Sequence, residues 1–168
     1  MSLGKVDFDF GLDGKNALVT GGAAGIGAAI ATAYAAKGAR IAVVDLDEAG
    51  AARTADGVAT ESRGFRCDVT NPDSVRSTVD AVLDVFGRID ILVNSAGVVH
   101  LAPAEELSEK AWDTTIDVNL KGTFLMCQAV GASMLAAGGG VIVNMASQAA
   151  SVALDQHCLL YTSDAADE

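Results

Sequence analysis

Apolar runs and helix-patterned stretches take turns along the chain. Residues 16–20 (NALVT) form a short apolar run of the kind a buried strand makes. A glycine-rich turn follows, then an alanine-rich helical stretch over 28–37 that Gly38 stops. Residues 40–44 (RIAVV) repeat the strand pattern and are closed by Asp45, and 47–56 read as helix. Residues 63–67 (RGFRC) make a weaker third strand. Asn71-Pro72-Asp73 opens the next helix, with Asn71 as N-cap and Pro72 at the first helical position. Val75, Val79, Val82, Leu83 and Phe86 share one face of it, and it ends at Gly87. A fourth strand covers 89–93. Leu107-Ser108-Glu109 starts a helix that runs, with a break, to about Ala137, and after the glycines at 138–140 a fifth strand covers 141–145. Strands that are apolar almost throughout, alternating with helices, describe an α/β fold with a parallel sheet covered on both faces. There is no internal repeat, low-complexity tract or linker.

Composition narrows the classes. The 168 residues suit one domain, and 51% apolar content is enough for a core. Eighteen glycines against two prolines indicate tight turns rather than disorder. A net charge of −11 argues against a nucleic-acid partner, because phosphates would be repelled. Cys67, Cys127 and Cys158 contain no CxxC pair, which points away from disulfides and zinc and toward reduced thiols in a cytoplasmic protein. No stretch reaches the ~18 consecutive apolar residues of a membrane span. The lead-in MSLGKVDFDFGLDGK lacks a basic segment followed by an apolar one, so it does not read as a signal peptide.

The turn between the first strand and first helix carries the chemistry. It reads Thr20-Gly21-Gly22-Ala23-Ala24-Gly25-Ile26-Gly27. Gly21 would make the sharp exit from the strand, Gly25 would let backbone approach a pyrophosphate, and Gly27 would let helix and strand pack closely. The free N–H groups at the helix start would then face the phosphates. Asp45 stands 18 residues beyond Gly27, at the end of the second strand. A carboxylate there can accept hydrogen bonds from the adenosine ribose and would repel a 2′-phosphate, which favours NAD over NADP. The plainer reading of Asp45 is a cap for the helix that begins near Asp47.

With these residues in place, the sequence resembles the short-chain dehydrogenase/reductase family. The spacing Gly-x-x-x-Gly-x-Gly is that family's own and differs from Gly-x-Gly-x-x-Gly. Asn94-Ser95-Ala96-Gly97 is similar to the family's Asn-Asn-Ala-Gly, with serine at the second place. Asp68-Val69 matches the pair that contacts adenine, and Val118-Asn119-Leu120-Lys121-Gly122 matches the segment that holds the catalytic asparagine. The resemblance runs from about residue 12 to 157. It implies a Rossmann-type doubly wound sheet in three layers, strand order 3-2-1-4-5, incomplete at its C-terminal edge. It implies hydride transfer between a nicotinamide dinucleotide and a secondary alcohol or ketone. It also implies a cofactor-binding set of Gly21, Ala23, Gly25, Ile26, Gly27, Asp45, Leu46, Asp68, Val69, Asn94, Ala96 and Gly97, and no metal. Ser147 and Asn119 take the places of catalytic residues, Ser147 to hydrogen-bond the substrate oxygen and Asn119 to hold a proton-relay water.

Plainer roles exist for these residues. Asn94 suits a tie between neighbouring strands through its amide. Asn119 in mid-helix signals a local distortion or a bound water. A serine at a strand end, as Ser147 is, commonly forms a turn. His100 and His157 are too few for a metal site; for His157 a place near the substrate of a complete family member and a plain surface role both stay open, the surface role at least as well supported.

The match then breaks. The family mechanism uses a tyrosine as acid/base and a lysine four residues later that lowers its pKa. The tyrosine's position is occupied by Leu160, and Tyr161 lies one place late; the residues four further on are Asp164 and Ala165, and no lysine follows Lys121. Residues 158–168 (CLLYTSDAADE) resemble a translated reading frame of a transposase-type sequencing adapter. The expected organisation is therefore a truncated dinucleotide-binding domain over 1–157 and a non-native tail over 158–168. Such a chain would bind cofactor at best, would lack turnover, and would expose an apolar, aggregation-prone edge at the fifth strand. Its longer parent would be a homodimer or homotetramer. Within the family the lead-in Phe8-Asp9-Phe10-Gly11-Leu12-Asp13-Gly14-Lys15 and the Asn-Ser-Ala-Gly variant are similar to sugar-alcohol (polyol) dehydrogenases; 3-oxoacyl-carrier-protein reductases share most of the other motifs.

Overall fold

A computed structural model describes residues 11–150. The expectations for His157, Tyr161 and the tail from 158 lie outside the described residues. Five parallel strands, β1 (Asn16–Thr20), β2 (Arg40–Asp45), β3 (Arg63–Arg66), β4 (Ile91–Asn94) and β5 (Val141–Asn144), form one sheet in the order β3-β2-β1-β4-β5. The helices between them are α1 (Gly25–Ala35), α2 (Glu48–Asp56), α3 (Pro72–Phe86), α4 (Glu109–Ile116) and α5 (Thr123–Ala136). The α/β class and the strand order are those expected.

The sheet is buried on both faces because its strands are apolar at successive positions. Leu18, Ala42, Val44 and Leu92 point to one side, where they pack with Val75, Val79, Val82 and Phe86 of α3 and Met126, Val130 and Met134 of α5. Ala17, Val19, Ile41, Val43 and Val93 point to the other, against the small faces of α1 (Ala31, Ala35) and α2 (Ala51, Ala55). Alanines let these two helices lie close to the sheet. Helix starts follow local chemistry: Asn71 Oδ1 accepts the N–H groups of Asp73 and Ser74 at 2.9 and 3.2 Å, and Ser108 Oγ accepts that of Ala111 at 3.2 Å.

Several element ends shift by one or two residues from the sequence expectation, and three differences are larger or more telling. Helix α1 begins at Gly25, three residues early, because the second half of the glycine loop is itself the first helical turn. Strand β4 is centred later, on Ile91–Asn94, although ladder bonds already reach Asp90. The expected break in the long helix is a π-helical turn, Asp117–Gly122, between α4 and α5. At the sheet's edge β5 pairs, among the described residues, with β4 alone, and Val141 and Ile142 are 58% and 39% exposed.

The order of strands reverses beside β1. Strands β2 and β3 extend to one side of it and β4 and β5 to the other. The carboxyl ends of β1 and β4 therefore diverge into connections on opposite faces, which opens a crevice there. At the amino end of the same strands a buried polar knot fixes their register. Asp90 Oδ2 accepts the Asn16 N–H at 2.9 Å, Asn16 Nδ2 donates to the carbonyl of Arg88 at 2.9 Å, and Arg88 Nε meets Asp90 Oδ1 at 2.8 Å. Asp90→Ala leaves the Asn16 N–H buried without its acceptor. Its expected cost is ~2 kcal/mol of stability, read as a lower urea midpoint at an unchanged slope.

Candidate functional site

The site grows from the turn after β1. Gly21 has φ +65°, and a Cβ there would stand 2.8 Å from both Ala96 Cα and the Ser95 carbonyl oxygen. The turn is thus pressed against the chain leaving β4. Thr20 completes this contact: its Oγ1 accepts the N–H groups of Ser95 and Ala96 at 3.0 and 3.1 Å and donates to the Val93 carbonyl. A Cβ on Gly27 would overlap the Gly21 carbonyl, so the first turn of α1 sits directly on the strand exit.

Helix α1 has no side-chain cap. Its N-cap, Ala24, offers none, and the first intrahelical bond is Ala28 N–H to Ala24 C=O. The N–H groups of Gly25, Ile26 and Gly27 thus have no intrahelical acceptor, at the positive end of the helix dipole. A Cβ on Gly25 would meet nothing within 4 Å, so this backbone faces open space, and Ile26 beside it is 64% exposed. These are the conditions under which a helix start holds a phosphate.

Asp45 bridges two loops. Its Oδ2 accepts the Ala23 N–H at 3.0 Å and its Oδ1 the Asp47 N–H at 3.0 Å. The cap of α2 is Asp47, whose side chain accepts the Gly50 N–H, so Asp45 is not the helix cap. Each carboxylate oxygen keeps lone-pair capacity for a further donor. Asp45, Leu46, Gly21, Asp68, Val69, Ala96 and Gly97 all line one cleft of about 190 Å³, with Val44, Cys67, Val98 and Val118 as further walls. The walls are mostly aliphatic, which suits a flat heteroaromatic ring. Asp68 is held in place by Thr70, whose N–H and hydroxyl donate to Asp68 Oδ1 at 3.0 and 2.7 Å.

A second cleft of about 460 Å³ adjoins the first through Ala96 and Gly97. Asn94, Asn119, Ser147, Thr115 and Met145 are among its lining residues. Asn94 Nδ2 donates to Asn144 Oδ1 at 2.8 Å and to Cys127 Sγ at 3.2 Å, which ties β4 to β5 and to α5; its Oδ1 is buried and has no partner among the described residues. The Asn119 amide is held by one residue, donating to the Val98 carbonyl and accepting the Val98 N–H, each at 2.9 Å. The π turn makes this possible by carrying the Asn119 side chain to the segment after β4. Ser147 Oγ accepts the Ala149 N–H at 3.2 Å, so the serine does form a turn, and its hydroxyl hydrogen remains to donate.

The structure therefore gathers the sequence-named residues into a loop and two joined clefts at the carboxyl ends of the strands. Ala23, Gly25, Ile26 and Gly27 form the loop; the others line the clefts. Thr20 and Thr115 were not singled out from the sequence for these places. Only Thr20 carried a signal, a polar residue at the buried end of a strand. Among the described residues no cluster of three or more His, Cys, Asp or Glu could hold a metal ion, and no helix is long and apolar enough to cross a membrane.

Burial pushes the Cys67 thiol above its ordinary pKa, against a smaller opposing pull from the Thr78 and Ser74 hydroxyls. A raised thiol pKa leaves little thiolate at pH 8. Iodoacetamide labelling of Cys67 at pH 8 is expected to be at least ~10-fold slower than that of free cysteine. It should quicken as pH rises and become ordinary in urea, read by mass spectrometry of the peptide.

A family profile described as short chain dehydrogenase matches residues 15–166. A D-threitol dehydrogenase of Mycolicibacterium smegmatis is 68% identical over 155 residues, covering 90% of this chain and 60% of that protein. An NAD-dependent glycerol dehydrogenase of Listeria innocua is 44% identical, covering 95% of this chain and 63% of that protein. Among solved structures, a putative short-chain alcohol dehydrogenase from Sinorhizobium meliloti superposes with a TM-score of 0.87 at 36% identity, covering 93% of this chain and 63% of its own. The chain thus spans about three fifths of the length of the relatives it matches.

Proposed function

This chain belongs to the short chain dehydrogenase family, and from that premise we propose that it is the NAD-binding part of a polyol dehydrogenase, an enzyme that interconverts a secondary alcohol of a sugar alcohol and a ketone. The observation that carries the reading is the uncapped start of α1 facing open space beside the Asp45 carboxylate. In it the N–H groups of Gly25, Ile26 and Gly27 grip the diphosphate, and Asp45 accepts the ribose hydroxyls. The adenine lies in the cleft between Val44, Asp68, Val69 and Val118, and the nicotinamide reaches the larger cleft past Ala96 and Gly97. The polyol reading is supported by the names of the Mycolicibacterium and Listeria relatives.

A bound nicotinamide dinucleotide supplies the hydride acceptor or donor. The chain's own part is to orient and polarise. Ser147 donates its hydroxyl hydrogen to the reacting oxygen, where charge builds in the transition state. Asn119 locks the segment after β4 through its paired bonds to Val98, which fixes the floor between the two clefts. Tyr161 lies within the residues that the family profile matches, but Ala165 stands four residues later, so the lysine of the acid/base pair has no counterpart in residues 122–168. We infer that residues 158–168 are a non-native tail and that the chain as it stands binds the dinucleotide without turning over substrate. Sequencing of the parent DNA beyond the His157 codon tests the tail: a genomic continuation encoding CLLYTSDAADE would refute it.

Titration of the chain with NADH, followed by nicotinamide fluorescence, should show saturable binding; a folded chain with no binding sinks the proposal. Asp45→Ala is expected to weaken NADH binding ~10-fold while leaving NADPH little changed, because the ribose acceptor and the repulsion of a 2′-phosphate disappear together. In the full-length parent, Ser147→Ala should lower kcat on a polyol by ~100-fold or more, with NADH affinity intact.

A further inference from the structure

Strand β5 ends in a side-chain knot that the chemistry above leaves unused. Asn94 and Asn144 are partners in the parallel ladder, at the carboxyl ends of β4 and β5. Asn144 Oδ1 accepts from Asn94 Nδ2 at 2.8 Å and from the Cys127 thiol at 3.7 Å. Asn94 Nδ2 also donates to Cys127 Sγ at 3.2 Å, which closes the knot among β4, β5 and α5. Asn94 is buried, whereas Asn144 is exposed. Water could satisfy an exposed amide, yet the Asn144 carbonyl is turned inward, between two donors. The last ladder bond of β5 runs from the Met145 N–H to the Asn94 carbonyl at 3.0 Å. Ser147 stands two residues further on and bonds forward, accepting the Ala149 N–H. Among the described residues β5 has a neighbouring strand on one side only, so the approach to Ser147 is steered from β4. Asn94, Asn144 and Ser147 line the larger cleft, and none of them is in the wall of the smaller one.

We propose that Asn144 is a positioning residue for Ser147. The inference rests on the reading above, in which Ser147 donates to the reacting oxygen. In this role Asn144 touches neither substrate nor cofactor and acts through the end of β5. Its carbonyl sets the angle at which the chain leaves the sheet, and so where Ser147 Oγ arrives in the larger cleft. A group that meets a reacting atom has to be held within ~0.5 Å of its productive place. Loss of the Asn144 carbonyl leaves the backbone ladder and the Asn94–Cys127 contact intact. The strand then stays in register and only its exit loosens. Cys127 is the anchor on α5, since its thiol is the second donor to the same oxygen. The knot uses the carbonyl of Asn144, so aspartate can replace asparagine there and alanine cannot.

The test uses the full-length enzyme, with NAD and threitol as the probe. Asn144→Ala should lower kcat ~10-fold, with KM and the NADH dissociation constant within about twofold of wild type. Asn144→Asp keeps the acceptor and should return kcat to within about threefold of wild type. The deciding measurement is a double-mutant cycle. In a Ser147→Ala enzyme there is no hydroxyl to misplace, so adding Asn144→Ala should change the residual kcat by less than about twofold. An Asn144→Ala enzyme that keeps its kcat, or loses it by the same factor with and without Ser147, overturns the proposal. Failure of Asn144→Asp to recover kcat overturns it too. If Asn144→Ala does not fold, Cys127→Ala decides: a kcat loss that vanishes in the Ser147→Ala background supports the proposal, and a persistent or absent loss overturns it. Wild-type enzyme that does not turn over threitol, or a Ser147→Ala enzyme with unimpaired kcat, overturns the reading above and this inference with it. Both failures are seen before any Asn144 variant is made.

Discussion

The site depends on one close approach of backbone to backbone. The turn at Gly21 lies against Ser95 and Ala96 with no room for a Cβ, and Thr20 pins the same two residues through its hydroxyl. Strands β1 and β4 are neighbours in the sheet, but their following connections run to opposite faces. Without this contact their ends would splay, and the two clefts would not share Ala96 and Gly97 as a common wall. The chemistry is therefore organised by contact between loops, and the sheet supplies only the rigid base.

Electrostatic placement follows from that geometry. The first turn of α1 has no anionic side chain of its own, and Asp45 engages Ala23 rather than the helix start. The N–H groups further along thus keep their positive potential while a carboxylate stands close by. A ligand that carries phosphates and sugar hydroxyls side by side meets both. A chain with net charge −11 would repel free anions at long range, so short-range amide contacts must do the selecting.

Much of this was legible in the sequence. The apolar runs at 16–20 and 40–44 and the caps at Asn71 and Gly87 fixed elements that the structure shows almost unchanged, because each depends on local preference plus burial. The glycine spacing located the loop. What the sequence left open concerned pairs of residues far apart along the chain. Whether Asp45 caps α2 or holds the glycine loop depends on where Ala23 arrives in space. The engagement of Asn119 with Val98 needs the π turn, which depends on tertiary packing and has no strong compositional mark.

That π turn has a consequence for how the helical arm tolerates change in length. It winds one surplus residue into a single turn, and each residue of an α-helix is rotated by about 100° from the last. Excision of one position between Asp117 and Gly122 would let the arm relax into continuous α-helix. The faces of α4 and α5 would stay in phase, because the residue removed is the surplus one, but the wide turn that carries the Asn119 amide to Val98 would be lost. The core would survive and the rim would lose that tie. Insertions or deletions here should thus separate folding from chemistry, whereas the same edits in the α2–β3 connection, remote from both clefts, should not.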